Sequence, residues 1–114
     1  KHSSGLAWDL KQGSPLRFDV TDRVDAPGTY TATFQWKGGS SALKIHSVKL
    51  YEGDWEVAAD VHEGWTGVEN NRNSYTLVLK KYRTNLDSYT LKAEVSGASG
   101  ADSQGEMILK KNEN

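Results

Sequence analysis

Cysteine is absent from the 114 residues, which excludes a disulfide scaffold, thiolate metal sites and a cysteine nucleophile. An excess of one charge is also lacking. The chain has 14 Lys and Arg against 15 Asp and Glu, and its basic residues are dispersed. No positive stripe is therefore available to displace counterions from nucleic acid. No apolar run approaches the roughly 20 residues of a membrane-spanning helix. Nor do the first residues carry a hydrophobic stretch of the signal-peptide kind. Neither nucleic acid nor membrane is an expected partner.

Catalytic signatures are missing as well. The sequence contains no Gly-x-Ser-x-Gly elbow, Walker loop or Gly-x-Gly-x-x-Gly turn. His62-Glu63-Gly64-Trp65 opens like a zinc-protease helix, but no second His follows on a helical face. Among 15 acidic residues some neighbouring pair is inevitable, so carboxylates alone make no case for glycoside hydrolysis. The expectation is a protein that binds rather than transforms.

What the chain does have is glycine and aromatics. Eleven glycines against two prolines suggest many tight turns, and four Trp with five Tyr are generous for this length. Alternation with period two organises the sequence, not helical spacing. Leu6, Trp8 and Leu10 share one face, as do Leu16, Phe18 and Val20. Tyr30, Ala32, Phe34 and Trp36 alternate with Thr29, Thr31, Thr33 and Gln35. Leu43 and Ile45 have one parity, Val48 and Leu50 the other, which predicts a bulge near His46-Ser47. Trp55, Val57, Ala59 and Val61 suggest a further strand with Trp55 in the core, as Trp8 is expected to be. Residues 64–74 lose the alternation and are expected to form a polar loop. Tyr75, Leu77 and Leu79, then Tyr89, Leu91, Ala93 and Val95, then Met107 to Leu109 complete about eight strands.

This pattern predicts an all-β fold, an antiparallel β-sandwich with jelly-roll-like connections. Residues 6–110 form a single domain, 1–5 are read as a linker or tag remnant, and 111–114 as a polar tail. A monomer is expected.

Trp65 stands apart, glycine-flanked and close to Asn71 and Arg72. A pyranose packs its C–H face on a flat ring while its hydroxyls seek planar hydrogen-bonding groups, so such a mixture suits sugar. Trp36, at the end of its alternating run, either caps the core or lines a rim. His62 and Asp60 share strand parity and form either a structural pair or part of a binding site. Tyr51 and Tyr82 are further exposed candidates. The expected carbohydrate-binding residues are thus Trp65, Trp36, His62, Asp60, Asn71, Arg72 and Tyr82. No catalytic or metal residue is expected, although the oxygen donors of Asp102-Ser103 and Glu69-Asn70-Asn71 are candidates for a structural calcium ion.

Several stretches carry a resemblance: Pro27 to Trp36, Ala42 to Ile45, Asp60-Val61-His62-Glu63-Gly64-Trp65-Thr66-Gly67, Asn73 to Leu77, and Gly100-Ala101-Asp102-Ser103-Gln104-Gly105. From about Trp8 to Leu109 the chain resembles the β-sandwich accessory modules of secreted Bacteroidetes-type glycoside hydrolases, such as hexosaminidase C-terminal modules. The resemblance implies a non-catalytic, secreted or cell-surface module that binds a polysaccharide or oligosaccharide and is joined to a parent catalytic domain in the same chain. A spacer or docking domain that binds no sugar is the alternative. The His62 to Gly67 run and the Gly100 to Gly105 loop would hold either a binding site or a loop-locking hydrogen-bond network.

Overall fold

A computed structural model describes residues 5–81 and 88–113. Two antiparallel sheets enclose the core. Nine strands are seen among the described residues: β1 (Leu6–Asp9), β2 (Leu16–Asp19), β3 (Gly28–Gly39), β4 (Leu43–Glu52), β5 (Trp55–Asp60), β6 (Gly64–Thr66), β7 (Arg72–Leu79), β8 (Tyr89–Gly97) and β9 (Ser103–Lys111). One sheet has the order β1-β9-β3-β7, the other β2-β8-β4-β5, with β6 also on β4. From β1 to β5 successive strands alternate between the sheets, apart from the β4–β5 hairpin. This is the strand order of a jelly roll, the expected sandwich type, although alternation alone does not fix that order. β5 and β6 pair with opposite halves of β4 and act as one interrupted strand. Eight strand positions are therefore filled by nine elements.

The inward residues of both sheets fill the interior. Tyr30, Ala32 and Phe34 of β3 face Leu16 and Phe18 of β2, Leu43, Ile45, Val48 and Leu50 of β4, and Leu91 and Ala93 of β8, all buried. Edge-to-face ring contacts join Phe18 to Phe34 across the sandwich and Phe34 to Tyr75 within one sheet. The bulge expected at His46-Ser47 is present: pairing with β8 shifts between Ile45 and Ser47, which lets Ile45 and Val48 both point inward.

Two expectations need correction. Trp55 is 70 % exposed and Val61 69 %, so neither belongs to the core. β4 and β5 slip between Leu50 and Tyr51, with Val57 the extra residue, so that Ala58 and not Ala59 faces inward against Leu50. Beyond the slip Val61 turns to solvent. Trp55 keeps its inward parity opposite Glu52 but sits at the tip of an edge strand, past the cover of the other sheet. The expected loop at 64–74 also contains structure, since Gly64–Thr66 pairs with β4 and β7 begins at Arg72.

Candidate functional site

The motif Asp60 to Gly67 closes one side of the sandwich. Here β5 and β6 border one sheet and β7 borders the other. Asp60 Oδ2 accepts the Thr76 N–H at 2.8 Å, and its Oδ1 meets His62 Nδ1 at 2.7 Å. The His62 ring then stacks on Tyr75, with centroids 4.1 Å apart. Tyr75 donates its hydroxyl proton to the Ile45 carbonyl at 3.2 Å, and its burial pushes the phenol pKa up to about 12. Gly64 lies so close to the Asn73 amide and Tyr75 hydroxyl that a methyl group there would collide with both. The Thr66 hydroxyl and Gly67 N–H donate to the Asn70 carbonyl, both at 2.8 Å, while the Asn70 amide donates to the Trp65 carbonyl at 2.7 Å.

Asp60 and His62 thus serve as a clip between an edge strand of each sheet. The Gly100 to Gly105 loop is locked in the same manner. Asp102 accepts the Ser40 N–H at 3.0 Å and the Gln104 amide at 2.8 Å. These bonds, the Gln104 one foremost, hold its carboxyl below the usual carboxylate range. Both motif stretches therefore act as loop-locking networks.

Those networks leave the two tryptophans at one end of the sandwich. Trp36 and Trp65 line one cleft of about 280 Å³ together with Gly39, Ser40, Val68 and Glu69. The Trp36 indole is half-buried against the core, and its N–H lies 3.1 Å from both the Ser41 carbonyl and the Ser103 hydroxyl. Only its ring edge and face remain for a ligand. Trp65, 45 % exposed, sits on β6 opposite Lys44, with its ring against Gly67. Its backbone is held by pairing with β4 and by the Asn70 amide on its carbonyl.

The remaining sequence candidates are dispersed. Asn71 is not among the residues lining the cleft; its carbonyl accepts the backbone N–H of Trp36 at 3.0 Å. Arg72 pairs with Gln35 on the outward face of the β1-β9-β3-β7 sheet. Tyr82 lies outside the described residues. Tyr51 is half-buried on the outer face of the other sheet, where the Lys92 ammonium sits 4.3 Å from its ring centroid. Sequence reasoning did not find Val68, and named Glu69 only as a calcium donor, yet both line the cleft next to Trp65. Their only signal was adjacency to it.

Several of the oxygens proposed as calcium ligands already accept hydrogen bonds. Both Asp102 oxygens already accept hydrogen bonds, the Asn70 carbonyl takes two donors and the Asn71 carbonyl takes one. Among the described residues no group of three or more His, Asp or Glu side chains gathers as metal ligands.

A further polar chain joins Glu63 Oε1 to His46 Nδ1 at 2.7 Å and His46 Nε2 to Ser96 Oγ at 2.9 Å. The connectivity is that of an acyl-transfer relay, which also requires N–H donors aimed at a developing oxyanion. Backbone donors close to Ser96 are committed elsewhere: Val95 N–H to the Ser14 hydroxyl and Ala98 N–H to the Ala42 carbonyl. The chain pins the bulged His46 to β8 and to the β5–β6 link. Comparison with models of known protein families and with curated proteins finds no match for this sequence.

Proposed function

We propose that this jelly-roll domain is a non-catalytic carbohydrate-binding module, and that the Trp36–Trp65 cleft is where it holds sugar. One observation carries the reading: two tryptophans distant in sequence line the same solvent-open cleft. A sugar ring stacks on the Trp65 face, and Trp36 closes the far wall. The Ser40 hydroxyl and Glu69 carboxylate supply the few polar groups that orient a small ligand. In this reading the module is secreted or surface-borne and holds a parent glycoside hydrolase on its polysaccharide.

Affinity electrophoresis and calorimetry with xylan, β-glucan, mannan, pectin and chitin fragments test the reading. Trp65→Ala is expected to weaken binding by about 1–3 kcal/mol while the fold survives. No binding to any of these glycans would remove the assignment. The rival reading, a spacer or docking domain, draws on Asp60, His62 and Asp102 being spent on structure. It requires the cleft to face a protein. Iodide quenching of tryptophan emission in the intact parent protein separates the two, because a docked cleft is protected there and a sugar site is not.

A further inference from the structure

A second aromatic surface lies well away from the cleft. Trp55 stands opposite Glu52 at one end of β4, whereas Trp65 stands opposite Lys44 at the other. At roughly 3.3 Å per residue along β4, the two positions are about 25 Å apart. Trp55 is 70 % exposed, against 45 % for Trp65. It borders a depression of about 610 Å³ whose wall also includes Glu52, Glu56, Val57, Val78, Lys80 and Lys81.

The two surfaces differ in charge. Glu69 lines the Trp36–Trp65 cleft, and its lining includes no Lys or Arg. Of the acids around Trp55, Glu56 pairs with Lys49 at 3.6 Å and Glu52 is buried and engaged, while the exposed Asp54 does not line the depression. Among the described residues Lys80 and Lys81 make no ion pair. The Trp55 ledge is therefore an open indole with two uncommitted ammonium groups beside it.

We propose that Trp55, Lys80 and Lys81 form a second ligand site, which takes a sugar residue bearing an anionic group, carboxylate or sulfate. The indole stacks on the apolar face of the ring, and the flexible lysines pair with its charge as movable point cations. Size favours a sugar over a protein partner. One indole and two valines fall far short of the roughly 800 Å² per side that a stable protein interface takes. The inference rests on the glycan-binding reading above but names different residues and a different sugar chemistry.

Affinity electrophoresis of the whole chain tests it, in gels carrying polygalacturonate, carrageenan, neutral xylan or poly-glutamate. Trp55→Ala, the Lys80→Gln/Lys81→Gln double variant and Trp65→Ala are compared, with circular dichroism melts to verify folding. The wild type and Trp65→Ala are expected to be retarded by an anionic polysaccharide. Trp55→Ala is expected to lose about tenfold in affinity, as for a lost aromatic anchor. The lysine variant should lose a similar factor together with the salt dependence. Polygalacturonate against carrageenan distinguishes a carboxylate from a sulfate ligand.

Anionic retardation that survives Trp55→Ala would overturn the proposal, reducing it to attraction by lysines. Equal, Trp55-dependent retardation by poly-glutamate would overturn the sugar assignment in favour of an acidic polypeptide. Loss of anionic binding alone, with neutral glycans still held through Trp65, sinks this site and spares the first. Absence of binding to every glycan sinks the first reading too.

Discussion

Tyr75 shows how much one side chain carries. Its ring is buried, touches Phe34 edge-on and supports the His62 ring on its outer face. Its hydroxyl is held out of water, which raises its pKa to about 12 from an ordinary 10. A group whose pKa is raised on folding contributes stability that is complete below the unfolded value and disappears as pH climbs through the folded one. Thermal melts are therefore expected to show an alkaline loss between about pH 10 and about pH 12. Tyr75→Phe should be less stable at neutral pH, through the lost bond to the Ile45 carbonyl, but should lack this component of the alkaline loss. Identical alkaline slopes in the two proteins would show that Tyr75 titrates like an exposed phenol.

At the scale of elements, the interest lies in how the two sheets are joined along the β5/β6 and β7 side. Hydrogen bonds normally run within a sheet, and only side chains can cross between sheets. Asp60 does so by capping the backbone N–H of Thr76 on the outer edge of β7. Asp60→Ala leaves that donor and His62 without their acceptor and is expected to cost about 1–3 kcal/mol, measured by urea unfolding. A value near zero would mean that water replaces the carboxylate at no loss. The clip also explains why the run from Asp60 to Tyr75 gave an ambiguous reading as sequence. Its polar residues look alike whether they hold a ligand or hold a strand, and alternation cannot separate the two. The slip at Val57 was hidden for a related reason. Trp55, Val57, Ala59 and Val61 alternate without fault, yet only pairing with β4 shows that one residue bulges out.

Over the whole molecule, charge is nearly balanced at neutral pH, and local capping singles out two carboxylates as sources of acid sensitivity. Asp19 and Asp102 both have depressed pKa values. For Asp19 the cause is chiefly the Thr21 hydroxyl, then the Thr21 N–H; for Asp102 it is chiefly the Gln104 amide, then Ser40. Groups of this kind contribute stability above the unfolded carboxylate value of about 3.9 and lose it as pH falls through the folded one. The melting temperature is expected to drop below about pH 4. The Asp19→Asn/Asp102→Asn variant should flatten that drop, and an unchanged acid limb in differential scanning calorimetry would refute the assignment.

Most of the architecture was legible from residue order alone. Alternation in Thr29 to Trp36, Tyr75 to Leu79 and Tyr89 to Val95 identifies strands and their buried faces, because each side chain in a pleated strand points opposite to its neighbour. The parity switch after Ile45 even locates the bulge. Residue order also singled out Trp65 and Trp36, as aromatics left at the ends of alternating runs. Their meeting in one cleft, the exposure of Trp55 and the use of Asp60, His62 and Asp102 as locks were decided only by the tertiary structure. The physical reason is that parity is a local property of one strand. Whether a given face is covered depends on where the opposite sheet ends and on how edge strands register, which is set by residues far away along the chain.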